Sequence, residues 1–149
     1  MNSKIDNNCI FCKIGQKKID ANIIDENENA IAFLDAFPLT AGHTLVITKN
    51  HYAKIQDVEF DEIRNLFMLA YKILPLIEVG TGVQGTLLAI HNGKDAGQEI
   101  PHLHLHIVPR KPGDGGSAIH SMFNSNHRLE RNEMMRIFNS IKEQSQKGH

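Results

Sequence analysis

The stretch 97–110 reads GQEIPHLHLHIVPR and places His102, His104 and His106 at alternating positions. Successive side chains of a β-strand point to opposite faces of the sheet. The alternation therefore predicts a strand over 102–109 with one histidine face and one apolar face, the latter packed on the core.

The histidine face has three possible interpretations. An amphipathic strand whose polar face happens to be histidine is disfavoured by the strict alternation. A single metal site for all three is excluded by reach, because His102 and His106 lie about 13 Å apart along a strand and zinc binds histidine at about 2.0–2.1 Å. The third interpretation is chemistry on a phosphate, since histidine can act as a covalent nucleophile when a hydrogen bond fixes its tautomer.

Composition and charge indicate a single-domain protein and disfavour several classes of partner and location. The 149 residues are 41% hydrophobic, which suits one domain with a self-sufficient core. Sixteen basic and 17 acidic residues give a net charge of −1, which argues against binding long nucleic acid through bulk charge. The polar start MNSKIDNN and the interrupted apolar run 63–79 predict no secretory signal and no membrane span, hence a cytoplasmic protein.

The remaining pattern predicts an α+β fold: an antiparallel sheet of about five strands with one long helix, plus a C-terminal helix. The other predicted strands cover 22–25, 29–35, 43–49 and 85–92, and a short helix is expected within 9–18. Asp57 is a candidate N-cap of the long helix, and Pro75 is expected to kink or shorten it. Its predicted core stripe comprises Phe60, Ile63, Phe67, Ala70, Leu74 and Ile77.

Cys9 and Cys12 form a C-x-x-C sequence. It is compatible with half of a metal site, a redox pair or coincidence. A thioredoxin-like redox pair is disfavoured, because such a pair lies between a strand and a helix and this one precedes the first predicted strand.

Several segments together resemble one family. GQEIPHLHLHIVPR resembles the signature of the histidine triad (HIT) nucleotide-binding hydrolases and transferases, in which histidines alternate with apolar residues. CIFCKI at 9–14, AFLDAFPLTAGHTLVITKNH at 32–51 and HNGKDAGQ at 91–98 resemble further family segments in the family order. The resemblance favours the small bacterial-type branch, and it covers roughly residues 9–112.

The resemblance implies roles for particular residues. His104 matches the nucleophile that attacks the α-phosphorus, and the carbonyl of His102 matches the acceptor that orients it. His106 matches a phosphate contact, and His43 an upstream histidine near the nucleophile. Matching residues for the rest of the nucleotide are Asn92 and Gln98 at the phosphate and leaving group, Asp35 at the ribose, and Phe33, Ala36 and Ile14 at the base.

One position departs from the pattern. Many family members have Ser or Thr directly after the Gly-Gln pair, where it helps the leaving group, whereas this chain has Glu99. An ionised carboxylate there would repel phosphate oxygens, or it could accept a hydrogen bond from an amine leaving group. Glu99 therefore leaves the preferred leaving group open.

The resemblance also bears on the cysteines. Some bacterial-type members with both cysteines bind zinc, which implies a structural Cys₂His₂ site of Cys9, Cys12, His51 and His102. The family chemistry needs no catalytic metal. A zinc-dependent hydrolase with the triad as ligands remains a weaker alternative.

The implied function is hydrolysis or transfer at the α-phosphate of purine nucleotide conjugates: nucleoside phosphoramidates, acyl-adenylates or dinucleoside polyphosphates. The alternative is a nucleotide-binding regulatory or interaction module with weak catalysis.

A homodimer with a continuous sheet is implied, without a membrane or long nucleic acid as partner. We expect a flexible tail over 1–8, the HIT domain over 9–112, and a Gly-rich loop with a helical extension over 113–149. His91 receives no role, and His120, His127 and His149 are expected in solvent.

Overall fold

The computed structural model describes residues 4–123 and 128–148, so His127 and His149 lie outside the described residues. The chain divides into two compact units, Met1–Asp114 and Gly115–His149. The second unit contains a 3₁₀ turn (Ile119–Met122) and helix α3 (Arg131–Lys147). The predicted C-terminal helix is therefore confirmed.

The first unit is built on a five-stranded antiparallel sheet, which confirms the predicted α+β fold. The spatial order of its strands is β1-β2-β3-β5-β4. The strands are β1 (Ile23–Glu26), β2 (Ala30–Leu34), β3 (Thr44–Thr48), β4 (Gly85–Ala89) and β5 (His104–Arg110).

Helix α2 (Phe60–Thr81) covers one face of this sheet. Its buried residues include Leu66, Leu69, Ile73 and Ile77, which share a core with residues of β2, β3 and β5. Leu103, Leu105 and Ile107 belong to this core, which confirms that the apolar residues between the histidines face inward. Among the described helices, none is both long and apolar enough to cross a membrane.

Two expectations about α2 were wrong, and a third was right only in part. Pro75 does not shorten the helix, which continues through it to Thr81. The carbonyl of Tyr71, four residues before Pro75, lacks its usual donor, but Tyr71 is 77% exposed, so water can reach that side of the helix. Glu59 is the N-cap residue, while Asp57 lies in a separate 3₁₀ turn (Ile55–Asp57).

The third correction concerns the predicted core stripe. Phe60 is 76% exposed and Phe67 is 45% exposed, so both lie outside the core. Ala70 and Ile77 of the stripe are buried in the core, and Ile63 and Leu74 pack against it. The 3.6-residue period therefore identified the side of α2 that meets the sheet, but it did not distinguish the exposed Phe60 and Phe67 from the buried residues.

The other face of the sheet is covered at one end by helix α1 (Ile10–Gly15), shorter than the expected 9–18. Phe11, Cys12 and Ile14 of α1 are buried in a second core cluster with Phe33 and Leu45. The six residues of α1 are too few for a stable isolated helix, so tertiary contacts hold it in place.

The start of the histidine strand also differs from its predicted position. β5 begins at His104 instead of His102. The Leu103 N–H donates to the Tyr52 carbonyl, which follows β3, and the His102 N–H donates to the Ile100 carbonyl. His102 and Leu103 therefore do not pair with β3, because β3 ends at Thr48. The two hydrogen bonds satisfy their N–H groups instead.

Candidate functional site

A cavity of about 610 Å³ lies beside α1 and the histidine side of β5. Antiparallel pairing places His104 opposite Ile47 and His106 opposite Leu45. Seven of the sequence-predicted residues line this cavity: Ile14, Phe33, Asp35, Ala36, His43, His104 and His106.

His104 has one ring nitrogen fixed and one available. Its Nδ1–H donates to the His102 carbonyl at 2.6 Å, which leaves the lone pair on Nε2. Burial lowers the pKa of His104, and this favours the neutral ring. A neutral imidazole with a fixed Nδ1–H has the tautomer that a nucleophile requires.

A chain of hydrogen bonds fixes the tautomer of His106. The Leu39 N–H donates to His43 Nδ1 at 3.1 Å, so the proton of neutral His43 is on Nε2. His43 Nε2–H then donates to His106 Nδ1 at 2.9 Å. His106 consequently carries its own proton on Nε2, a buried atom without a hydrogen-bond partner among the described residues.

Burial keeps this chain neutral. It lowers the pKa of His43 and, together with the neighbouring histidines, lowers the pKa of His106 to about 4. Both rings are therefore uncharged at neutral pH. An unpartnered neutral N–H on a residue that lines the cavity is a candidate donor to an oxyanion.

Asp35 lies next to the same chain. Its Oδ1 accepts the Phe37 N–H at 3.0 Å, and its Oδ2 lies 3.6 Å from His43 Nε2. Asp35, His43 and His106 are close enough together to suit a metal. A metal ion would need the lone pairs of His43 Nε2 and His106 Nδ1, but these two atoms already share the proton of their hydrogen bond. Hydrogen bonding therefore accounts for the closeness of the three residues.

Asn92 and Gln98 lie elsewhere. The Asn92 amide accepts the Ile55 N–H at 2.9 Å and donates to Gln56 Oε1 at 3.0 Å. Gln98 Nε2 donates to the Ala53 carbonyl at 2.7 Å. Neither residue lines the cavity, and both connect the 91–98 loop to the segment after β3.

Two aromatic rings of the cavity wall, those of His91 and Phe11, were not assigned a role from the sequence. His91 lines the cavity, with its ring centroid 5.6 Å from that of His106. The pairing of Ala89 with His106 accounts for this, because it directs the end of β4 toward His104. Phe11 also lines the cavity, and its ring meets that of His104 edge-on at 5.1 Å. Glu99, which stands where many family members have Ser or Thr, also lines the cavity.

A second cluster joins Cys9, Cys12, His51 and His102. Cys9 Sγ lies 3.3 Å from His102 Nδ1, and Cys12 Sγ lies 3.4 Å from His51 Nδ1 and 3.5 Å from His102 Nδ1. Tetrahedral zinc, with bonds of about 2.3 Å to sulfur and about 2.0–2.1 Å to nitrogen, separates such ligand atoms by about 3.5 Å. The four donor atoms therefore fit zinc.

The surroundings of this cluster suit a metal as well. His102 Nε2–H donates to the Thr48 carbonyl at 2.7 Å, so Nδ1 presents its lone pair to the sulfur atoms. Such an outer hydrogen bond is usual for a metal-binding histidine. Burial raises the pKa of the Cys12 thiol to about 11, whereas a bound cation would favour the thiolate.

Comparisons with known proteins find similar chains. An uncharacterized HIT-like protein of Methanocaldococcus jannaschii is 41% identical over 107 residues, covering 72% of this chain and 82% of its own length. The Arabidopsis thaliana protein named adenylylsulfatase HINT3 is 34% identical over 112 residues, covering 75% of this chain and 57% of its own.

A Zn-bound histidine triad family protein from Mycobacterium smegmatis has a similar structure. Its TM-score is 0.68 at 32% identity, over 95% of this chain and 97% of that one. The HIT domain profile matches residues 16–113. On these similarities, and on the triad strand with its cavity, the chain belongs to the HIT domain family.

Proposed function

We propose that this protein hydrolyses or transfers the nucleotidyl group of purine nucleotide conjugates through a covalent intermediate on His104. One observation carries the proposal: His104 has its Nδ1–H bonded to a carbonyl and its Nε2 lone pair unblocked, beside the unpartnered Nε2–H of His106. The name of the Arabidopsis relative, an adenylylsulfatase, is compatible with such an activity.

The reaction proceeds in two displacements. The Nε2 lone pair of His104 forms a bond to the α-phosphorus, and the bond to the leaving group breaks, with its electron pair passing to that group. His106 Nε2–H donates to a non-bridging oxygen as negative charge develops. The departed group takes a proton from solvent. Water then attacks phosphorus and releases one proton to solvent, the N–P bond breaks, its electron pair returns to Nε2, and the nucleotide leaves.

The remaining predicted residues would bind the nucleotide. The second oxygen of Asp35 is available to ribose hydroxyls, since its first oxygen accepts the Phe37 N–H. Phe33, Ala36 and Ile14 provide an apolar wall for a base. Asn92 and Gln98 would bind the phosphate and the leaving group; their hydrogen bonds to Gln56 and Ala53 hold the 91–98 loop beside the cavity, where Gly97 and Glu99 line its wall.

Trapping the intermediate tests the proposed function. Rapid acid quench during turnover of an adenosine phosphoramidate or a diadenosine polyphosphate is expected to yield chain carrying one adenylyl group. The phosphoramidate should react faster, because Glu99 can accept a hydrogen bond from an amine and repels a polyphosphate. Unmodified chain throughout, with AMP bound and neither substrate consumed, would instead favour a nucleotide-binding module.

We also propose that Cys9, Cys12, His51 and His102 bind zinc with a structural role. The fit of their donor atoms to a tetrahedral ion and the Zn-bound relative support this assignment. Zinc there would connect α1 to the segment after β3 and to the segment that precedes β5. It would take no part in the proposed attack itself, which uses His104 and His106.

We propose further that two copies form a dimer through α2 and the edge strand β4. α2 leaves the large apolar residues Phe60, Tyr71 and Val79 between 76% and 85% exposed, and an accumulation of exposed apolar residues on one element favours an interaction surface. β4 lies at the edge of the sheet, where pairing with a second copy would satisfy its backbone groups.

Sedimentation equilibrium of the full-length protein should give a mass of twice the 16.7 kDa of one chain. A monomer at micromolar concentration would contradict the proposed dimer.

A further inference from the structure

His102 belongs to both clusters of the site. Its side chain places Nδ1 3.3 Å from Cys9 Sγ, within the proposed metal site. Its backbone carbonyl accepts the Nδ1–H of His104 at 2.6 Å. The residue that would bind the metal therefore also holds the proposed nucleophile.

A second connection passes through Phe11, which lies between the two cysteines. The Phe11 ring meets the ring of His104 edge-on at 5.1 Å, and that of His102 at 5.8 Å. It also packs on Phe33 at 5.9 Å, a residue of the proposed base pocket. The position of Phe11 thus bears on both the nucleophile and the pocket.

Helix α1 depends on its contacts for its position. It has six residues, and its N-cap residue Cys9 makes no side-chain capping hydrogen bond among the described residues. Such a short helix is not stable alone. A metal bound to Cys9 and Cys12 would fix α1 against the sheet, while Ile10 and Ile14 of the same helix line the cavity.

We propose that the metal site positions the catalytic site: His102 and Phe11 transmit metal occupancy to the orientation of His104 and to the shape of the base pocket. This inference rests on the proposed function and its zinc site. His102 and Phe11 are positioning residues here, because neither needs to touch the reacting atoms. A site that only stabilised the fold would leave affinity, turnover and His104 unchanged in chain that remains folded.

The test compares zinc-loaded full-length protein with the same protein after chelation, both checked for folding by circular dichroism. Metal content, AMP affinity by calorimetry, and kcat and KM for an adenosine phosphoramidate are measured. The His104 Nδ1–H resonance reports the bond to His102 directly. Chelation is expected to weaken AMP binding about fivefold, to lower kcat about tenfold, and to broaden or shift that resonance.

The variant Phe11→Leu tests the same connection with all four metal ligands kept. It should retain zinc, yet raise KM and shift the His104 resonance in the same direction as chelation. Lys18→Ala is the matched control, because Lys18 is an exposed residue just beyond α1. This control should leave metal content, KM and the resonance unchanged.

The outcomes separate the two proposals. Folded protein that binds no zinc overturns the zinc site, and this inference with it. Protein that binds zinc, but whose AMP affinity, kcat and His104 resonance are unchanged by chelation, overturns the inference alone, because Phe11→Leu also alters the cavity wall directly. If chelation unfolds the chain, cadmium replaces zinc in the comparison, and an unchanged AMP affinity, kcat and His104 resonance in the cadmium-loaded protein overturns the inference.

Discussion

His104→Ala is expected to lower kcat for an adenosine phosphoramidate about 10⁴-fold, because removing a covalent nucleophile leaves only binding and oxyanion stabilisation to act. The ring accepts no hydrogen bond that the fold requires; its Nδ1–H donates to the His102 carbonyl. Steady-state kinetics at saturating substrate measure the effect. The acid-quench adduct should disappear together with turnover.

Two controls make this loss specific. AMP affinity should stay within about threefold of the wild-type value, because Phe33, Asp35 and Ile14 still line the cavity. His106→Gln should retain the adduct but form it about 10²–10³-fold more slowly, as expected for loss of one oxyanion donor. Turnover within tenfold of wild type in His104→Ala would refute nucleophilic catalysis by this residue.

The fold was predictable largely because its sheet has strong local signals. The alternation of His104 and His106 with Leu105 and Ile107 defines both faces of β5 without other information, since side-chain direction in a strand repeats every two residues. Helix α2 and most of its buried side were identified by the period, but Phe60 and Phe67 were wrongly assigned to that side. Phe60 and Phe67 are as apolar as Leu66 and Leu69, and only contact with the sheet distinguishes them.

Residues brought together by register were harder to predict. His91 follows β4 and reaches the cavity because Ala89 pairs with His106, and sequence alone does not fix that pairing. Asn92 and Gln98 were assigned by resemblance, while their side chains bond to Gln56 and Ala53. The role of Phe11 also depends on tertiary packing, because α1 is too short to have a defined position of its own.

Cys12→Ser is expected to lower the free energy of unfolding by about 5–6 kcal/mol when zinc is present in large excess over its dissociation constant. About 4 kcal/mol of this is the stabilisation by a ligand that binds only the folded state, and about 1–2 kcal/mol is the cost of the substitution itself. Cys12 is fully buried and contributes to the proposed tetrahedral set with both histidines. Denaturant unfolding with and without a chelator measures the difference. Chelation should destabilise the wild-type chain and leave Cys12→Ser nearly unaffected.

The comparison in chelator separates metal binding from packing. Without zinc the substitution exchanges a buried thiol for a buried hydroxyl, which costs about 1–2 kcal/mol. His51→Cys, which would present three cysteines and one histidine, should keep most of the zinc-dependent part, since zinc also binds that ligand set. Equal destabilisation of Cys12→Ser with and without zinc would mean that Cys12 acts only through packing and that the four side chains bind no structural metal.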